Sequence, residues 1–87
     1  MNIYLSSSYV SSLKKLTKNN TSLLIKIKEK IKLYKINPHS PGLKLHKLKG
    51  CMDTNWSFSV TDDIRIVYIH EADGILFVKI GKHDDVY

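Results

Sequence analysis

The chain has 87 residues, 14 lysine or arginine against 8 aspartate or glutamate, and a formal net charge of +6. That length makes one domain, with a core large enough to fold unaided but not generous. The single cysteine, Cys51, excludes an internal disulfide framework, and no apolar run is long enough to span a bilayer.

The first residues, Met1–Leu5, show no basic region followed by an apolar stretch, so a soluble cytoplasmic protein is expected. Asn2–Leu5 reads as a short strand. Ser6-Ser7-Ser8 offers N-cap hydroxyls to a helix that follows. Tyr9, Val10, Leu13 and Leu16 recur at helical spacing there, with Lys14, Lys15 and Lys18 on the other side. Asn19-Asn20-Thr21-Ser22 breaks the pattern and can cap a second helix. Its apolar stripe is Leu23, Leu24, Ile27, Ile31 and Tyr34, with Lys26, Lys30 and Lys35 lying off it. Asn37-Pro38 ends it, because proline disfavours helix in the residue before it.

His39-Ser40-Pro41-Gly42 is a linker, and Leu43-Lys44-Leu45-His46 alternates like a strand entering a sheet. The alternation fails at Lys47-Leu48, which predicts a bulge or a strand end. Residues 49–55 read as a loop. Three strands then follow in a row. Residues 56–60 alternate apolar with serine, so Trp56, Phe58 and Val60 face the core while Ser57 and Ser59 face outward. Residues 64–70 and 75–80 are rich in β-branched and aromatic side chains. Thr61-Asp62-Asp63 makes one hairpin loop, and Glu71-Ala72-Asp73-Gly74 makes another, its Asp-Gly pair accepting positive φ. The order β-α-α-β-β-β-β is an α+β fold, a helical hairpin packed on one face of a mostly antiparallel sheet. Residues 1–87 form a single domain, and the sheet's other face is expected to be partly open.

Polar residues near that open face are His46, Ser57, Ser59, Asp63, Arg65, His83 and Tyr87. Each has a plain structural explanation. His46 can be an exposed residue on a basic strand, His83 a strand cap, and Tyr87 a packing aromatic. Arg65, the only arginine, can pair with Asp62, Asp63 or Glu71. Its place within Ile64-Arg65-Ile66-Val67 predicts a half-buried polar cluster rather than a free cation. Metal chemistry fits poorly: the four histidines show no close ligand pair, and one cysteine cannot build a zinc cluster. There is no Gly-rich phosphate loop, so no metal or cofactor is expected.

The net charge suits nucleic acid or an acidic partner, but 13 of the 14 basic residues are lysine, which a merely solvated surface explains as well. Two histidines, an arginine, an aspartate and a tyrosine on a basic domain fit metal-free RNA cleavage. That reaction needs a base for the ribose 2′-OH, an acid for the 5′-oxygen and a cation for the charged phosphorane. Histidine suits the first two roles and arginine the third.

The ordered set Ile3-Tyr4-Leu5-Ser6, Asn37-Pro38, Leu48-Lys49-Gly50, Trp56-Ser57, Arg65-Ile66-Val67-Tyr68 and Ile80–Tyr87 resembles the RelE/ParE superfamily of bacterial toxins, along nearly the whole chain. The hairpin is similar to the YoeB branch, and the ending Gly81-Lys82-His83 through Tyr87 to the YafQ and RelE branches. The resemblance implies a ribosome-dependent endonuclease that cuts mRNA in the A site, against 16S rRNA, and a cognate antitoxin that wraps and inhibits it. Operator DNA would be bound through the antitoxin.

By the same resemblance, His46 matches a catalytic histidine or glutamate position. Asp63 matches an acidic site residue, Arg65 a shared arginine, His83 a catalytic histidine or arginine, and Tyr87 a base-stacking aromatic. Lys44, Lys47, Lys49, Lys79 and Lys82 would hold RNA phosphates. The chain departs from RelE at Ser57 and Ser59, where RelE carries lysines; Ser59 also replaces a YafQ histidine. Two alternatives stand beside this reading: a ParE-like inhibitor of DNA gyrase, and a catalytically inactive binding module of the same fold.

Overall fold

The computed structural model describes residues 2–47 and 55–82. In chain order the elements are β1 (Asn2–Leu5), α1 (Ser7–Thr17), α2 (Thr21–Ile36), a short 3-10 turn (Pro41–Leu43), β2 (His46–Lys47), β3 (Asn55–Ser59), β4 (Ile64–Glu71) and β5 (Gly74–Lys82). The strands form one sheet in the order β1-β5-β4-β3-β2. Pairing is antiparallel except at β1, which runs parallel to β5. The α+β arrangement expected from the hydropathy pattern is the one observed. Among the described residues, no helix is long and apolar enough to cross a membrane.

Both helices begin where short polar side chains offer caps. The Ser6 hydroxyl accepts from the Tyr9 N–H at 3.0 Å, and the Asn20 side chain accepts from the Leu23 N–H at 3.1 Å. Asn19 turns the chain between the helices at φ 57°, a left-handed conformation that asparagine tolerates well. The second helix stops at Ile36, before Asn37-Pro38.

The apolar stripes meet the sheet in one core. Tyr9, Ile27, Tyr34, Leu43, Phe58, Ile66, Tyr68, Ile75, Phe77 and Ile80 are all buried there. Each such side chain stabilises the fold by about 1.5–3 kcal/mol relative to exposure. At its centre Tyr34 stacks on Phe58, with ring centroids 4.9 Å apart, and meets the edge of Tyr68 at 5.2 Å. Burial holds the Tyr68 phenol well above its ordinary range, and its hydrogen bond with Tyr34 adds to this. Burial also pushes the Tyr9 phenol up to about 12.

The end of β1 is tied to the β4–β5 turn. The Tyr4 hydroxyl and the Asn2 amide both donate to Asp73 Oδ2, at 2.7 and 3.1 Å. These bonds depress the Asp73 carboxyl, the Tyr4 bond more than the Asn2 bond. Glycine stands at 74 for a different reason from the one its Asp-Gly context suggests. A Cβ there would lie 1.9 Å from the Asn2 carbonyl oxygen. The close approach of β1 excludes a side chain, and no positive φ is involved.

Two further expectations change. Residues 43–46 do not enter the sheet as a strand. Pro41 starts a 3-10 turn, Leu43 is fully buried, and Lys44 takes left-handed backbone (φ 47°, ψ 48°), so pairing begins only at His46. The face away from the helices is also less open than the alternation implied. Ser57 and Ser59 point away from the helices as expected, yet they are 0% and 5% exposed. The break expected at Lys47-Leu48 lies outside the described residues from position 48 onward.

Candidate functional site

The sheet's second face is built in two rows. In one row His46 on β2 pairs with Ser57 on β3, Ser57 with Val67 on β4, and Val67 with Lys79 on β5. In the next, Ser59 pairs with Arg65, and Arg65 with Gly81. Paired residues share a face, so four strands with little in common locally assemble one surface.

Arg65 is 8% exposed. A guanidinium removed from water this far must be hydrogen-bonded. Its Nε donates to Ser57 Oγ at 3.2 Å, and its Nη2 donates to the Lys44 carbonyl at 2.8 Å. The half-buried polar cluster expected around the only arginine is therefore present. The partners expected for it were carboxylates, but these two acceptors are neutral oxygens. Asp63 sits in the β3–β4 turn, exposed, with its N–H donating to Thr61 Oγ1 at 3.2 Å. The carboxylate of that turn that pairs with a lysine is Asp62, 3.8 Å from Lys44 Nζ. Both side chains of that pair are largely exposed, so it contributes little to stability.

The sequence places Ser57 among the polar residues of the open face but marks neither it nor the Lys44 backbone as an acceptor for Arg65. The resemblance to RelE marks Ser57 only as a position where a lysine is missing. In the fold it is the acceptor that orients Arg65, a task no lysine ammonium can perform because it has no acceptor. The available signal was a serine two positions from an arginine's cross-strand partner, on the same face. Lys44 was noted for its ammonium, but its carbonyl holds the arginine, and a left-handed residue aims that carbonyl. Nothing in the local sequence marks a lysine for that conformation. Ser59 Oγ donates to the Thr61 carbonyl at 2.8 Å and stiffens the turn beside the site.

The five lysines separate. Lys79 lies on the His46 row and is half-buried. Lys44 flanks Arg65. Lys47 pairs with Trp56, and Lys82 with Ile64, which places both on the helix side of the sheet, exposed at its margins. Lys49, His83 and Tyr87 lie outside the described residues, so the fold brings together His46, Arg65 and Lys79 of the expected set, with Asp63 at the adjoining turn. Among the described residues, no three His, Cys, Asp or Glu side chains converge as metal ligands.

A helical hairpin over a five-stranded sheet is an arrangement that solved structures share. No family model and no curated protein matches the sequence. Solved structures do match the fold. YoeB from Staphylococcus aureus, solved as a dimer, superposes with TM-score 0.76 at 25% identity, covering 95% of this chain and 97% of that one. A YoeB/ParE toxin from Agrobacterium tumefaciens gives 0.78 at 23%, covering 95% and 99%. YafQ in the E. coli DinJ–YafQ toxin–antitoxin complex gives 0.80 at 22%, covering 99% and 96%. The chain has the fold of the RelE/ParE toxin superfamily.

Proposed function

We propose that this protein is the toxin of a toxin–antitoxin pair and acts as a metal-independent, ribosome-dependent mRNA endonuclease in the cytoplasm. The observation that carries the reading is the anchored guanidinium of Arg65, turned by Ser57 and Lys44 toward the row that holds His46. A fixed cation on a basic face suits the charge that develops when a ribose 2′-oxygen attacks the adjacent phosphorus. In that step the new P–O2′ bond forms while the P–O5′ bond breaks. The products are a 2′,3′-cyclic phosphate and a 5′-hydroxyl, the proton passing from the 2′-OH to a base and from an acid to the 5′-oxygen.

In this reading His46 is the base, His83 the acid, and Arg65 the stabiliser of the phosphorane. Asp63 acts at the turn, and Tyr87 stacks on a base of the message. Lys44, Lys47, Lys49, Lys79 and Lys82 hold phosphates of mRNA and 16S rRNA. The partner is a cognate antitoxin; the matching DinJ–YafQ structure is a toxin–antitoxin complex. The test is single-turnover cleavage of mRNA on programmed ribosomes without added metal. Cleavage that disappears in Arg65→Ala, with ribosome binding kept, is the expected result. Intact mRNA together with gyrase-linked DNA breaks on induction would replace this reading with the ParE-like one.

A further inference from the structure

The nuclease reading leaves one large polar cleft unused. It opens between α1 and the last part of β5 and has a volume of about 540 Å³. One wall is a helical stripe, Ser8, Ser11, Ser12 and Lys15; the other is Lys79–Gly81. The stripe follows from spacing, since positions i, i+3, i+4 and i+7 share a helix face. The opening follows from topology. The pairing of β1 with β5 ends at Leu5 and Phe77, so among the described residues no strand lies beside the last part of β5 on that side. The cleft therefore straddles a sheet margin, with Ile80 from the helix side and Lys79 and Gly81 from the Arg65 side.

Its chemistry is one-sided. Among the described residues, three hydroxyls and two ammonium groups line it and no carboxylate does, the apolar side chains being Leu16 and Ile80 beside the glycine. Hydroxyls and lysines are the groups that grip phosphate oxygens without reading bases. A docked peptide strand would need alternating apolar pockets for its side chains, and this cleft has none of that pattern. Gly81 is the cross-strand neighbour of Arg65, so the cleft lies about 5 Å, one strand spacing, beyond the strand that carries the arginine.

We propose that the α1–β5 cleft binds the sugar-phosphate backbone of RNA next to the nucleotide held at Arg65. Ser8, Ser11 and Ser12 donate to phosphate oxygens, and Lys15 supplies the charge opposite Lys79. The proposal rests on the RNA-cleaving reading of the Arg65 face and adds α1 to the RNA-binding surface.

The test uses the intact protein and a single-stranded 2′-O-methyl RNA oligonucleotide, which cannot be cut through its 2′-oxygen. Binding is followed by fluorescence anisotropy across a salt series, with thermal midpoints confirming that each variant is folded. Lys15→Gln is expected to weaken binding and to remove about 0.7 from the log–log salt slope, the value of one phosphate contact on a single strand. Ser11→Ala/Ser12→Ala is expected to weaken binding with the slope unchanged, because hydroxyls release no counterion. Lys32→Gln, an exposed change on α2 away from the cleft, is expected to do neither. Unchanged affinity and slope in both cleft variants overturns the proposal. So does a loss of antitoxin binding with RNA binding intact, which would make the cleft a protein interface. The two readings separate cleanly. Normal mRNA cleavage with an unchanged slope removes the cleft and keeps the nuclease, whereas a Lys15-dependent slope in a protein that never cleaves removes the nuclease and keeps the cleft.

Discussion

Arg65 is paired across the strands with Ser59, and its guanidinium leans one row back to bind Ser57, 3.2 Å from Nε to Oγ. That diagonal ties one edge of the guanidinium to the row on which His46 pairs with Ser57. Ser57→Ala should therefore leave the fold intact but release the guanidinium. Hydrogen bonds to charged groups are worth about 1.5–3 kcal/mol, so cleavage should fall roughly 10- to 100-fold with ribosome binding preserved. Single-turnover rates measure it, and an unchanged rate would remove Ser57 from the positioning of Arg65.

Ser57→Lys tests the same point from the other side. Superficially it restores a RelE-like lysine. Here it would place an ammonium at a fully buried position against the Arg65 guanidinium. Burying an uncompensated charge costs several kcal/mol. The variant should lose at least about 3 kcal/mol of stability in urea and should not become more active. A stable, active protein would refute the positioning role of Ser57.

Arg65→Lys keeps a positive charge but loses the planar fork. It can satisfy either Ser57 or Lys44, and it cannot chelate two phosphate oxygens. Cleavage should drop by about 100-fold or more, similar to loss of a preorganised donor. A rate near wild type would reduce Arg65 to a generic cation.

Lys44 holds Arg65 with its backbone, in a left-handed conformation that costs a non-glycine residue roughly 1–2 kcal/mol. Lys44→Gly should be at least as stable as wild type and should keep the Arg65 anchor. Lys44→Val should lose about 1–2 kcal/mol in the same denaturant titration, because a β-branched residue resists that backbone. Equal stability of the two variants would contradict the conformation.

The Asp73 tie gives a pH signature away from the site. Its carboxyl is depressed in the fold, chiefly by the Tyr4 hydroxyl. A depressed carboxyl stabilises the fold above its unfolded pKa, and that contribution is lost as pH falls through the lower folded value. Stability should thus slope downward below about pH 4, and Tyr4→Phe should flatten part of that slope. An NMR titration of Asp73 should show its midpoint moving up in Tyr4→Phe. Proton binding unaffected by the substitution would remove the Tyr4 bond from the account.

Much of this architecture was legible in the sequence because periodicity reports which side of an element is apolar. Tyr9, Ile27 and Tyr34 advertised the helix faces, and Phe58, Ile66 and Tyr68 the sheet. The capping serine and asparagine marked both helix starts. The arginine's partners were harder to read. Ser57 becomes an acceptor only through a diagonal between strands, and the Lys44 carbonyl reaches Arg65 across 21 positions of chain. Gly74 was placed correctly at a turn, but its cause lies in β1, more than 70 residues earlier. Local pattern carries propensity and burial; it does not carry the meeting of distant backbones.

The bulge in β5 has a consequence for how such a chain can change. Tyr68 pairs with Phe77 and Val67 with Lys79, so Val78 is an extra residue, and its carbonyl is taken by the Ser6 hydroxyl at 2.8 Å. Before it the odd positions, Ile75 and Phe77, face the helices; after it the even position Ile80 does. Val78 is thus a phase shift, and it lets one strand be read in two frames. Deleting it would restore plain alternation, with Phe77 and Ile80 still toward the helices and Lys79 and Gly81 still toward the Arg65 face, but would remove the carbonyl that the Ser6 hydroxyl binds. Such a residue can be gained or lost without re-registering either half of the strand, so what Val78 adds is its tie to the start of α1.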